Sequence, residues 1–118
     1  MEKMDLKERT KSFALKVIKV VEVLPKGRIA YILGNQLLRA GTSVGANYRA
    51  ACRAKSTADF ISKMGIVEEE TDETIYWMEL LIEAGIIHKD DLIPLLDEAN
   101  QNLAITVSSI KTSRKSNK

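Results

Sequence analysis

Cysteine and histidine are almost missing from these 118 residues: Cys52 and His88 stand alone. A single cysteine excludes an internal disulfide and fits a reducing, cytoplasmic setting. Zinc needs several Cys, His or carboxylate ligands, and a di-iron bundle needs Glu-x-x-His on paired helices; neither set can be assembled here. His88 follows the helix-ending Gly85, and no serine near it looks activated, so a hydrolytic triad has no base. Strand-like alternation is absent, and so is a glycine-rich phosphate loop, which would have to follow a strand. No apolar run approaches the ~20 residues of a membrane helix. The best candidate, residues 13–24, is interrupted by Lys16, Lys19 and Glu22. Residues 1–11 are charged and lack an apolar signal core, which argues against export. The expectation is a protein with no catalytic residues, no cofactor and no metal.

Net charge is only +2, but charge is distributed in blocks. Arg39, Arg49, Arg53, Lys55 and Lys63 face a single acid, Asp59, over residues 39–63. Residues 68–83 hold seven acids and no base, and residues 111–118 hold four bases and no acid. Such blocks are commonly solvated helix faces that pair with one another. The same bases are also candidates for an exposed patch at one end, Arg49, Arg53, Lys55 and Lys63 around one turn together with the tail bases, that would bind phosphate backbone without reading sequence. Tyr48 and Phe60 are the only aromatics nearby, which weakens a single-strand stacking surface.

Helical periodicity covers nearly all of the chain. Helix one is expected over 5–24, capped by Asp5, with Leu6, Phe13, Val17, Val20 and Leu24 as its stripe and Pro25 as its stop. Helix two is expected over 28–54, on Leu33, Leu37, Ala40, Val44 and Ala51. Gly34, Gly41 and Gly45 fall inside it, at about 1 kcal/mol each relative to alanine. Gly41 and Gly45 share a face, so the compensation is close approach of another backbone; the alternative is a break near Gly41-Thr42-Ser43. Helix three is expected over 57–84, opening on Ser56 with Asp59 three residues on, and closing at Gly85. Helix four is expected over 91–111, capped by Asp90 with Pro94 in its first turn, leaving 112–118 as a flexible polar tail. Four amphipathic helices with short connections predict one domain, an all-α, antiparallel, up-down-up-down four-helix bundle.

Polar residues on helices two and three invite pairing. In a hairpin centred near Lys55-Ser56, positions summing to roughly 111 face each other. Arg39 then meets Asp72 and Glu73, Ser43 meets Glu68 and Glu69, and Asn47 lies near Met64. A buried Arg–Glu network of Arg39, Ser43, Asn47, Glu69, Asp72 and Glu73 would fix register more than it adds stability, and removing one partner would cost ~3–5 kcal/mol. The rival is an open groove lined by Arg39, Asn47, Glu69 and Glu73.

The run LGNQLLRAGTSVGANYRAACRAKS over residues 33–56, followed by Ala58-Asp59-Phe60, resembles the bacterial four-helix bundle family, the 23S rRNA-intervening sequence proteins. The stretch ETDETIYWMELLIEAG over 70–85 is similar to it as well. Matched positions are Gln36, Arg39, Ser43, Asn47, Arg53, Ser56, Asp59, Phe60, Glu73 and Glu79; Ala50 departs, standing where many members carry Glu. The resemblance implies a small helical bundle without established catalytic activity, assembling as a ring-like homo-pentamer. A similar bundle, the accessory variability protein of diversity-generating retroelements, binds nucleic acid and a reverse transcriptase. The expectation is therefore a non-enzymatic, homo-oligomeric accessory or scaffold protein associated with RNA or DNA. The alternatives are a protein-interaction scaffold that binds no nucleic acid, and an enzyme built on the Arg39 groove.

Overall fold

In a computed structural model, which describes residues 5–116, the chain forms four helices: α1 (Leu6–Glu22), α2 (Arg28–Ala51), α3 (Thr57–Glu83) and α4 (Lys89–Ser116). Each boundary has a local cause. Asp5 is extended and its carboxylate accepts the Glu8 amide at 2.8 Å, so α1 starts there. Ser56 accepts the Asp59 amide at 3.0 Å. The Asp59 carboxylate reaches back to the Lys55 amide at 3.1 Å, one residue earlier than in a standard capping box. At the end of α3, Gly85 takes φ 73°, and the amides of Gly85 and Ile86 donate to the carbonyls of Ile82 and Leu81. This pair of bonds is a Schellman stop, and Ile86 packs onto the core cluster that holds Leu81.

α2, expected to reach 54, stops at Ala51 with Cys52 as its cap, and α4 is corrected at both ends. α4 begins at Lys89, and the Asp90 amide donates to the His88 ring at 3.2 Å, so His88 caps the helix in place of Asp90. Pro94 consequently lies in the second turn of α4, where its missing N–H leaves the carbonyl four residues back without a helical donor. The stretch expected to be a flexible tail continues α4 through Ser116; Asn117 and Lys118 lie outside the described residues, as do Met1 to Met4 of the charged N-terminal segment. α2 runs unbroken through Gly41.

The helices neighbour one another in chain order, α1–α2, α2–α3 and α3–α4, and α1–α4 closes the bundle as the loosest of the four packed pairs. The molecule is correspondingly flattened, with extents of 50 × 32 × 20 Å. Its core has two apolar clusters. One gathers Phe13, Val17, Leu37, Ile75, Met78, Leu81, Leu92, Leu95 and Ala99. The other gathers Leu6, Val44, Ala51, Met64, Val67 and Ile110. Along every helix the positions between them are small or polar: Thr10 on α1, Ala40 and Gly41 on α2, Thr71 on α3, Asn102 and Thr106 on α4, all buried. The three threonines donate their hydroxyls to carbonyls of their own helices, so the layer costs little. Asn102 accepts from Arg9 Nε at 3.0 Å, while its amide nitrogen has no partner.

Gly41 explains why α2 tolerates interior glycine. A Cβ there would stand 2.8 and 2.9 Å from the two methyls of Val17 on α1. The expected close approach is that of α1.

Candidate nucleic-acid interface

Up-down-up-down topology gathers the start of α1, the end of α2, the start of α3 and the end of α4 into one half of the bundle. The smaller apolar cluster, Leu6 to Ile110, marks that half. The charge blocks of the sequence fall on opposite halves. Segments 5–12, 44–67 and 103–116 carry ten bases and three acids. The other half, segments 13–43 and 68–102, carries six bases and twelve acids. A nearly neutral chain thus becomes a bundle with one basic and one acidic half.

The two halves also differ in pairing. In the acidic half Lys16 meets Glu98 at 2.8 Å, Lys19 meets Glu22, and Arg39 bridges Glu70 and Glu73. In the basic half the one ion pair among the described residues is Lys63 with Asp59, at 2.7 and 2.8 Å to its two oxygens. Those bonds, together with the Lys55 amide, hold the Asp59 carboxyl below the usual carboxylate range. Lys63 is therefore committed to Asp59, whereas Arg49, Arg53 and Lys55 have no ion pair among the described residues.

α1 adds bases that the sequence did not point to, and α4 brings in the tail bases that it did. Lys7 and Lys11 stand on α1 and, with Arg49 of α2, border an open groove of about 490 Å³ whose floor includes Thr10, Ala14, Gly45 and Ala46. Glu8 is the groove's one acid. On α4, the helical continuation carries Lys111, Arg114 and Lys115 into the same half. A second hollow, at the α2–α3 turn, is lined by Lys55 and by Thr112, Ser113 and Ser116 of α4, so the two ends lie side by side. The signal for Lys7 and Lys11 was available in the sequence only to a reader who had already folded α1 antiparallel to α2. Tyr48, also in this half, is half-buried; burial, with the Cys52 thiol beside it, pushes its phenol up to about 12, so the ring stays neutral.

Arg39 sits at the surface of the α2–α3 seam, with 47% of its side chain exposed, and donates to Gln36, Glu70 and Glu73. Glu73 also accepts from Trp77 Nε1 at 3.1 Å, and Tyr76 stands edge-on to that indole. The expected partner set shifts by rotation about the helix axis. Asp72 lies about 100° round α3 from Glu73 and is exposed, and Glu70 takes its place. Ser43 and Asn47 turn inward on their own helix, donating to the carbonyls of Arg39 and Ser43 at 2.7 and 2.8 Å. Glu69 is exposed. The cluster is thus a surface clasp, half in water, where the sequence pointed to a buried network. Among the described residues, no three Asp, Glu, His or Cys side chains gather as a metal-binding group, and no helix is long and apolar enough to cross a membrane.

Four helices in this order and packing define an all-α, four-helix bundle protein. The family model of the 23S rRNA-intervening sequence proteins matches residues 2–108, and the chain belongs to that family. It is similar to a crystal structure of a protein of unknown function from the S23 ribosomal protein family of Bacteroides thetaiotaomicron VPI-5482. The two share 34% identity, with a TM-score of 0.85 over 91% of this chain and 99% of that one. Among curated proteins, none matches the chain.

Proposed function

We propose that this chain is a non-enzymatic, self-associating accessory protein that binds nucleic acid through its basic half. The carrying observation is the segregation of charge, with ten bases against three acids in the half that holds the α2–α3 turn. Lysine and arginine side chains held without acidic partners attract phosphate backbone and release its counterions, which supplies affinity without sequence reading. Self-association is supported by large apolar side chains left in water, among them Leu15, Val23, Ile29 and Ile32. A ring of five, alongside a reverse transcriptase, is the expectation that the resemblance adds, and a cytoplasmic setting is the one that the lone cysteine adds.

The test is binding of fluorescent RNA and DNA at rising salt, together with solution mass by light scattering. Affinity that falls steeply with salt, and a mass several times the 13.2 kDa subunit, are the expected results. No binding at low salt removes the nucleic-acid part, and a monomer mass removes the self-association. The exposed apolar residues favour a second reading, a protein-interaction scaffold. A partner captured from lysate equally well with and without nuclease would favour that reading.

A further inference from the structure

The geometry points to duplex nucleic acid, bound by its phosphate rails across the basic end and the α1–α2 groove, as the ligand of this surface. This inference rests on the nucleic-acid reading above and narrows it. Proteins that hold single strands combine a basic track with exposed rings on which bases stack. Here rings and charges are on opposite halves. The well-exposed aromatics, Tyr31 at 71% and Tyr76 at 52%, belong to the acidic half. In the basic half Tyr48 and Phe60 are only partly exposed, packed against the smaller apolar cluster. The groove between Lys7, Lys11 and Arg49 is floored by threonine, alanine and glycine and offers no ring.

A surface that acts by charge alone favours the ligand with the greater charge density. Duplex DNA carries one charge per ~1.7 Å of axis, against ~3.4 Å along one strand, and releases more counterion per phosphate, about 0.9 against about 0.7. The bases come from three helices and one turn, so they spread over an end of the bundle and do not follow a single strand's path. Phosphate rails are common to RNA and DNA duplexes, so a surface that acts by charge accepts either.

The experiment titrates the whole protein against four probes of matched length, an RNA duplex, a DNA duplex and one strand of each, by fluorescence anisotropy at several salt concentrations. Either duplex should bind several-fold more tightly than its own strand, and the arms show which sugar is preferred. The triple variant Lys7→Gln, Lys11→Gln, Arg49→Gln should lower duplex affinity at least about tenfold at low salt and flatten the log–log salt slope by about 2 to 3. Glu8→Gln, which removes the groove's acid, should raise duplex affinity. Lys19→Gln, Lys26→Gln, Lys89→Gln in the acidic half should leave it unchanged. Circular dichroism confirms that each variant is folded. Single strands bound as tightly as duplexes overturn the inference and leave the nucleic-acid reading standing. Failure of all four probes at low salt overturns both. Duplex binding untouched by the first triple variant, or equally weakened by the second, overturns the assignment of the surface.

Discussion

Helix α1 has two neighbours and meets them in opposite ways. Toward α2 it packs through glycines, with Val17 over Gly41 and Thr10 over Gly45, so that helix surfaces touch with almost nothing between them. Toward α4 it stands off, and the gap is bridged by long polar side chains: Arg9 to Asn102 and Gln101, Lys16 to Glu98. The first seam depends on shape, most tightly at Gly41, where an added Cβ would meet Val17 below 3.0 Å. The second depends on hydrogen bonds, and one of its buried donors is left over. Stability should therefore be concentrated in the first and adjustable in the second.

The largest effect is expected where α1 serves both seams. Phe13 is fully buried, and Phe13→Ala should cost about 3–5 kcal/mol in urea unfolding. Gly41→Ala comes next and tests the sign. On an open helix face the change would gain about 1 kcal/mol. Here the new Cβ meets both Val17 methyls below 3.0 Å, and Val17 is β-branched and stiff, so α1 must shift. A net loss of about 1–3 kcal/mol is expected, partly recovered by adding Val17→Ala. A gain in stability would show that the first seam is looser than described.

On the second seam, Arg9→Met should cost about 1 kcal/mol or more, because it strands the Asn102 carbonyl as well as the amide. Adding Asn102→Leu should return the protein to near its starting stability or above it, since both orphaned groups then disappear. A double variant no better than the single would mean that the polar layer is tightly bound to its surroundings. The smallest effect belongs to Lys16→Ala. Its partner lies across the thinnest seam, but the lysine side chain is 57% exposed, so a loss of at most about 0.5 kcal/mol, vanishing in high salt, is expected.

Much of the fold was legible because it is written in period and punctuation. Asp5, Ser56 and Gly85 sit at the helix ends that their chemistry implies. The tail was misjudged because a polar segment, residues 112–116, has no apolar stripe to announce a helix, yet simply continues α4. The Arg39 cluster was placed at the right level along the hairpin but at the wrong depth. A sum of positions gives register, whereas depth follows from rotation about each helix axis, and that is set by packing against α1 and α4. The buried threonines and Asn102 went unread for a related reason. A hydroxyl that bonds its own backbone looks, in sequence, like any surface threonine.

By itself the sequence determined four helices, the punctuation at Asp5, Ser56 and Gly85, the apolar stripes and the family, since each is encoded in residues close together along the chain. Only the tertiary structure brought Lys7 and Lys11 of α1 to the end where the turn and tail bases gather. Bases scattered over α1, the α2–α3 turn and α4 become one surface because antiparallel packing brings residues tens of positions apart into the same half, and Coulomb attraction acts through space, whatever their order in the chain.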